Sequence, residues 1–144
     1  MKTVQLVKHK NKDWQYVVEH QELKEPLVLV FGNRFMLEDK NIYQEVKDLF
    51  PDGHIIFASS SAEISSNTVN LDSITITAIE FEKSSFKIKT SNVLNTDLDS
   101  FKTGGDLINQ LPQDDLKYVL VISEGSFING SQLTKGMNNA TQSN

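Results

Sequence analysis

Three short polar loops, each directly after an apolar run, carry the side chains that could do chemistry in this sequence. The loops are Gly32–Phe35, Ser59–Glu63 and Ser123–Gly130. The first holds Arg34, the only arginine, the second holds three consecutive serines and a glutamate, and the third holds Glu124. Hydroxyls, carboxylates and backbone amides can hold a small polar ligand, and a guanidinium can hold a carboxylate through two parallel hydrogen bonds.

These loops converge if the strands before them run parallel. The carboxyl ends of parallel strands lie along one edge of a sheet, and ligands bind in the crevice there. The sequence therefore predicts a ligand pocket. The alternative is that these are ordinary connections, in which serine is common because it satisfies local backbone groups. The candidate lining residues are Arg34, Ser59, Ser60, Ser61, Glu63, Glu124 and Asn129.

A strand, a helix and a second strand position the first two loops. Leu27–Phe31 is a continuous apolar run, typical of a strand buried on both faces. Apolar residues then recur with a helical period over Glu38–Phe50, and Pro51–Gly53 ends that helix. His54–Ala58 is a second apolar run. The short connections predict a parallel βαβ unit over residues 27–58 with a right-handed crossover.

An antiparallel hairpin is predicted next, over residues 73–90. Apolar and polar residues alternate in Ser73–Glu82 and again in Phe86–Thr90, as in two paired strands with one wet face. A change of phase at Ala78–Ile79 indicates a bulge. The fold class is therefore α/β, a mixed sheet that combines the βαβ unit with this hairpin and has helices packed on it.

The last third of the chain predicts two helices and a strand. Thr96 is a good N-cap for a helix that runs to Leu111, and a close approach to a neighbouring element would explain Gly104 and Gly105 within it. Tyr118–Ile122 is predicted to be another buried strand. A final helix starts near Ser131, and the polar residues 138–144 form a frayed tail.

Composition narrows the function classes. A chain of 144 residues with 38% apolar and 23% charged residues predicts one folded domain. The net charge of −5 argues against a nucleic-acid surface, which needs clustered lysines and arginines. The absence of cysteine excludes disulfides and thiolate chemistry. No stretch resembles a signal peptide or is long enough to insert in a membrane, which predicts a cytoplasmic protein.

Two segments resemble motifs of one family, the FIST N-terminal domain, a sensory module of bacterial signal-transduction proteins. Ala58–Ile64 resembles a Gly-Cys-Ser-x-Ala-Gly-Glu-Ile loop, with Ala58 and Ser59 in place of Gly-Cys and no glycine before the glutamate. Val121–Gly136 resembles the family's later strand and glycine-containing loops, with Glu124 where an aspartate is usual. With the strands and helix between them, the resemblance covers most of residues 27–137.

The resemblance implies that a small ligand, an amino acid or a related small carboxylate, is bound and that the signal passes to a linked partner protein. It implies a single FIST-N-like domain over residues 1–144, incomplete at its C-terminus and without the family's companion C-terminal domain. A half-finished domain would expose an apolar face, so self-association is expected as well. No enzymatic activity, cofactor or metal is expected.

The sequence leaves three other functions to consider. A protein–protein interaction module without a ligand is the main alternative. A serine hydrolase is disfavoured because His54 begins the strand that carries the serines at its far end, about 16 Å away for five residues, and because a G-x-S-x-G elbow is absent. A metal site at His20, Glu19 and Glu22 lacks the histidine pair expected of a helical zinc site.

Overall fold

The computed structural model describes residues 1–65 and 68–142, which divide into two units at Ser85. A five-stranded mixed sheet forms the first unit, Met1–Ser85, and helices form the second, Phe86–Asn144. The predicted mixed α/β class is confirmed. None of the helices in the described ranges is long and apolar enough to cross a membrane.

The elements of the first unit are β1 (Lys2–His9), β2 (Gln15–Tyr16), β3 (Leu27–Gly32), α1 (Arg34–Leu37), α2 (Lys40–Leu49), β4 (His54–Ser59), β5 (Glu63–Ser65), β6 (Thr68–Asn70) and β7 (Ser73–Glu80). The sheet has the strand order β2-β1-β7-β3-β4. Its strands β3 and β4 are parallel, and the other neighbouring strands are antiparallel. A separate two-stranded ribbon pairs β5 with β6.

The predicted βαβ unit is confirmed. β3 and β4 pair in parallel over their whole length, with Leu27 opposite His54 and Gly32 opposite Ser59. Between them, α2 begins after Asp39, whose side chain accepts a hydrogen bond from the N–H of Asn41 at 3.0 Å. A carboxylate at this position satisfies one of the N–H groups that the first helical turn leaves free.

β7 lies between β1 and β3 and is antiparallel to both. Its pairing with β1 runs without interruption from Ser73 to Glu80, so the predicted bulge at Ala78–Ile79 is wrong. The predicted hairpin over residues 73–90 is also wrong, because β7 pairs with β1 and β3, whereas residues 86–90 are described and lie in no strand. β7 is buried on both faces, and its apolar residues therefore need not alternate strictly.

The hydrophobic core of the first unit lies between the sheet and α2. Burying an aliphatic side chain fully stabilises a fold by about 1.5–3 kcal/mol. At the core's margin, Glu45 of α2 accepts hydrogen bonds from Lys8 Nζ at 2.5 Å and from Trp14 Nε1 at 2.8 Å, which tie β1 and the following loop to the helix. The core side chains are Val4, Leu6, Val28, Val30, Ile42, Val46, Ile74, Ile76 and Ala78.

The second unit consists of a 3-10 turn, Val93–Thr96, and two helices, α3 (Ser100–Asn109) and α4 (Gly130–Gln142). The predicted N-cap at Thr96 is wrong: Thr96 closes the 3-10 turn, and Asp99 caps α3 by accepting from the N–H of Lys102 at 3.0 Å. α4 starts next to the predicted position. It includes residues 138–142, which the sequence predicts to fray, while residues 143 and 144 fall outside the described range.

The run Tyr118–Ile122 is not the buried strand that its composition predicts. All five residues are described, lie in no strand and are exposed, with Tyr118 at 94%. A β-strand is stable only where a neighbouring strand takes up its backbone hydrogen bonds. The described residues of the second unit contain no such neighbour.

Two glycines allow α3 and α4 to touch along their backbones. A Cβ on Gly104 would collide with the carbonyl oxygen of Leu133, and a Cβ on Gly136 would collide with that of Phe101. A Cβ on Gly105 would lie 3.8 Å from the carbonyl oxygen of Gly136, which is ordinary contact. The close approach that the sequence suggests for both Gly104 and Gly105 therefore holds for Gly104 only.

We expect Gly104→Ala to destabilise the second unit by about 1–3 kcal/mol, because a backbone carbonyl cannot move aside as a flexible side chain can. Gly105→Ala is the matched control and should be neutral or stabilising by up to about 1 kcal/mol, since alanine favours helix over glycine. Hydrogen exchange of the α3 amides measures both effects. Equal protection in the two variants would contradict the proposed helix contact.

Candidate functional site

Two of the three predicted loops lie side by side at the carboxyl ends of β3 and β4. The N–H of Ser60 donates to the carbonyl oxygen of Gly32 at 3.0 Å, which continues the parallel pairing beyond the last strand residues. The N–H of Asn33 donates to the carbonyl oxygen of Ser73 at 2.9 Å. The loops that follow β3 and β4 are therefore fixed next to each other and next to the first residue of β7.

This edge requires a glycine at the end of β3. A Cβ on Gly32 would lie 2.8 Å from Cγ1 of Ile74 and 2.9 Å from the carbonyl oxygen of Ser73. After Gly32, the side chain of Asn33 accepts from the N–H of Phe35 at 2.9 Å and begins α1. The close contact with β7 determines where the chain leaves the sheet and thus where helix α1 begins, at Arg34.

Glu63 is a buried carboxylate at this edge, with 4% of its surface exposed. The hydroxyl of Ser60 donates to Oε1 at 2.8 Å, and the hydroxyl of Ser73 donates to Oε2 at 2.5 Å. A buried carboxyl group is tolerated when its oxygens are hydrogen-bonded in this way. Ser60 and Glu63, both predicted to line a ligand pocket, thus join their loop to β7.

Ser73 was missed by the sequence reasoning. It stands at the first position of β7, where a strand rich in isoleucine and threonine begins with a small hydroxyl residue that is fully buried. A buried serine at a strand start needs a partner for its hydroxyl, and an acidic residue ten positions earlier could have been considered. The signal is weak because the contact depends on how β7 enters the sheet.

Thr75 adds an unpaired polar atom on the same face of β7 as Ser73. Its side chain is buried, with 7% of the residue exposed, and its hydroxyl has no hydrogen-bond partner among the described residues. Successive side chains of a strand alternate between faces, so Ser73 and Thr75 point to the same side of the sheet. A buried hydroxyl without a partner is destabilising by about 1–3 kcal/mol, and a bound polar group would relieve that cost.

The exposed groups at this edge are Arg34, Ser59 and Ser61. The side chain of Arg34 is 74% exposed, and its Nε donates to Oε1 of Glu38 one helical turn away at 2.8 Å. The hydrogen bond and charge of Glu38 raise the pKa of Arg34 above its ordinary value, so the guanidinium stays charged. These three side chains can reach a ligand in solvent, whereas Ser60 and Glu63 are already hydrogen-bonded within the protein.

Glu124 and Asn129 belong to the second unit, where each organises the start of α4. The carboxylate of Glu124 accepts from the N–H groups of Ser126 and Phe127 at 2.6 Å and of Ile128 at 2.8 Å. Asn129 Oδ1 accepts from the N–H of Gln132 at 3.1 Å and so caps the helix. Their role in a ligand pocket stays a prediction.

Ionisation of Glu124 is favoured by its hydrogen bonds. Desolvation acts to raise the pKa of this carboxyl group, but the hydrogen bonds from the backbone N–H groups of Ser126, Phe127 and Ile128 and from the side chain of Ser126 together outweigh it. The pKa therefore lies below the ordinary 4.5. The group is a carboxylate at neutral pH, held by donors that all come from its own loop.

A cavity of about 340 Å³ lies in the second unit beside Glu124. Its walls include Leu107 of α3, Leu133 of α4 and Val121, with Ser123 leading to the carboxylate. The sequence analysis missed it because the walls come from four separate segments. The volume falls within the range of small-ligand pockets, about 300–1,000 Å³.

Two further observations concern metal ligands and the distance from His54 to the serine loop. No group of three or more metal-ligating side chains occurs within residues 1–65 and 68–142. His54 pairs with Leu27 at the start of β4, while Ser59 stands at its other end. About five strand residues span roughly 16 Å, too far for His54 to take a proton from the hydroxyl of Ser59.

The first unit is a mixed α/β domain whose parallel strands end in polar loops rich in hydroxyl groups, and this defines its class of protein. The model of the FIST N domain family matches residues 26–144, most of the chain, and this chain belongs to that family. The resemblance noted in the sequence is thereby confirmed. FIST domains are generally sensory domains of signal transduction. Neither a search of curated proteins nor a search of solved structures gave a significant match.

Titration of Glu124 tests its hydrogen bonds. Because the pKa is lower in the folded state than in the unfolded state, Glu124 stabilises the loop at neutral pH, and this contribution is lost as pH falls through the folded-state pKa. The amide resonances of Ser126, Phe127 and Ile128 should shift together with a midpoint below pH 4.5. Glu124→Gln should abolish the shared midpoint. A midpoint at or above the ordinary value would contradict the structure of this loop.

Ser73→Ala tests the contact between β7 and the buried carboxylate. It leaves one oxygen of Glu63 without its donor, so we expect the first unit to lose about 1.5–3 kcal/mol of stability, the range for hydrogen bonds to charged groups. Ser84→Ala, at an exposed serine of the same unit, is the control and should change stability by less than about 0.5 kcal/mol. Urea unfolding followed by the fluorescence of Trp14, the only tryptophan, measures both. Similar small effects in both variants would refute the proposed anchor.

Proposed function

We propose that this chain is a small-ligand-binding sensory domain of a signal-transduction protein, that its ligand is an amino acid or a related small carboxylate, and that it binds without catalysing a reaction. The observation that carries the proposal is the polar edge where β3 and β4 end. There the exposed Arg34 follows β3, and the exposed Ser59 and Ser61 belong to the neighbouring loop, which the buried Glu63 anchors. Membership of a sensory family supports the same reading.

Each exposed group has a definite use in holding such a ligand. Arg34 donates to Glu38 through Nε, and its planar group can still direct terminal N–H donors at a ligand carboxylate. The hydroxyls of Ser59 and Ser61 both donate and accept, so they suit either a carboxylate or an ammonium group. The buried Thr75 hydroxyl would gain a partner if a polar ligand atom reached it.

Sensing requires that a ligand favour one of two conformations. The hydrogen bonds of Ser60 and Ser73 to Glu63 link the ligand edge to the central strand β7. A ligand that competes for these hydroxyls would change the hydrogen bonds between the loop and β7. A partner protein could recognise this discrete change. The proposal includes a linked signalling partner or a second copy of the chain as that reader, in the cytoplasm of a bacterium.

A second candidate function is a protein–protein interaction module without a ligand. It is favoured by the exposed apolar run Tyr118–Ile122, in which Leu120 is 71% exposed. Extended apolar segments with open backbone groups commonly pair with a strand of another protein. On this alternative the polar loops of the first unit are only connections.

A thermal-shift screen against amino acids and small carboxylates separates the two functions. A ligand present at about 100 times its Kd adds about 2.7 kcal/mol of stability, which is several degrees of Tm in a chain of this size. Arg34→Ala should remove the shift for carboxylate ligands, while Lys83→Ala, which also removes an exposed positive charge, should preserve it. If no compound in the panel raises Tm, the ligand-binding proposal fails and the interaction module is favoured.

A further inference from the structure

The cavity in the second unit offers a ligand a partly aliphatic lining and a single charge. Its aliphatic walls come from Leu107 and Leu133 of the two helices together with Val93, Val121 and Ile128. Among the described residues that line it, Glu124 carries the only charge, and lysine, arginine and histidine are absent from the lining. An anionic ligand would meet a carboxylate there with no cation to offset the repulsion.

The other polar side chains of the cavity give little selectivity for charge. The side-chain oxygen of Asn92 accepts from the N–H of Leu94 at 3.0 Å, and the hydroxyl of Thr103 donates to the carbonyl oxygen of Asp99 at 2.8 Å. The hydroxyl of Ser123 can donate or accept. The carboxylate is therefore the group that decides which ligand chemistry the cavity prefers.

The carboxylate of Glu124 has one donor that a ligand could replace, the side chain of Ser126. Two of its three backbone donors, Phe127 and Ile128, reach Oε1, and only Ser126 reaches Oε2. A carboxylate offers about four lone-pair positions. The three backbone N–H groups and the side chain of Ser126 account for all four. A ligand can therefore reach the carboxylate by replacing the Ser126 hydroxyl, and only a group that donates a hydrogen bond can do so.

We propose that this cavity binds a small organic amine, with its aliphatic body between Leu107 and Leu133 and its ammonium group donating to the carboxylate of Glu124 in place of the Ser126 hydroxyl. The site shares no residue with the edge proposed above for carboxylate ligands, and it selects the opposite charge. It extends the proposed sensory function, because the contacted carboxylate organises the loop that begins α4. A volume of about 340 Å³ admits a compact ligand of this class.

Three probes of the same shape test the proposal: 3-methylbutylamine, 3-methylbutanol and 3-methylbutanoate. Binding to the full chain is followed by the amide resonances of residues 121–133. We expect saturable binding of the amine, at least tenfold weaker binding of the alcohol and no binding of the carboxylate, since only the amine supplies both charge and donors. Comparable affinities for all three, or no binding of the amine, would overturn the proposal.

Substitutions in the cavity test whether the amine contacts Glu124. Glu124→Gln should weaken amine binding at least tenfold, whereas Asp115→Asn, at a side chain 98% exposed, should not change it. Glu124→Gln also loosens the loop, so Leu107→Trp is the second variant: it fills the cavity, leaves the carboxylate in place and should block the amine. Amine binding that survives either Glu124→Gln or Leu107→Trp refutes the site. Arg34→Ala should leave amine affinity unchanged, so failure of the carboxylate site is distinguishable from failure of this one.

Discussion

The pairing of β7 with two strands distant in the sequence is the interaction on which the first unit depends. It places Ser73 opposite His9 of β1 and Ile79 opposite Leu27 of β3, and the strand is thereby buried on both faces. Without it, β1 and β2 would have no connection to the βαβ unit through the sheet. The same pairing delivers Ser73 to the carboxyl end of β3, where its hydroxyl meets Glu63. The stability of the sheet and the geometry of the candidate site therefore rest on one strand.

The buried carboxylate divides the predicted site residues by role. Removing one partner from a buried carboxyl group is more destabilising than the net value of the contact, because the group that remains has lost its replacement for water. Ser60 and Glu63 are therefore expected to tolerate little change even if no ligand touches them. Arg34 and Ser59 are exposed, and substitution there should affect stability little. Loss of function without loss of stability is thus informative at the exposed positions only.

Local signals in the sequence were sufficient to predict the βαβ unit. They were insufficient to predict how β7 pairs or that Tyr118–Ile122 forms no strand. The apolar run of β3, the helical period of α2 and the break at Pro51–Gly53 each lie within one element, so neighbouring residues determine them. The strands that pair with β7 lie far from it in the sequence. The alternation in residues 86–90 resembled a second hairpin strand because an alternating pattern does not indicate which strand it pairs with. The two loops beside Gly32 followed from the parallel strands, but the burial of Glu63 depends on where β7 enters the sheet.

The second unit couples its helix contact to its cavity. Gly104 lies against the carbonyl group of Leu133, and Leu107, one turn further along α3, faces the cavity that Leu133 also lines. The distance between α3 and α4 therefore helps to set the cavity's width. Glu124 connects the same cavity to the start of α4, because its carboxylate holds the N–H groups that directly precede the cap at Asn129. A ligand that drew the carboxylate away from those donors would act on the first turn of α4, which gives this unit a physical route from occupancy to a change that another protein could recognise.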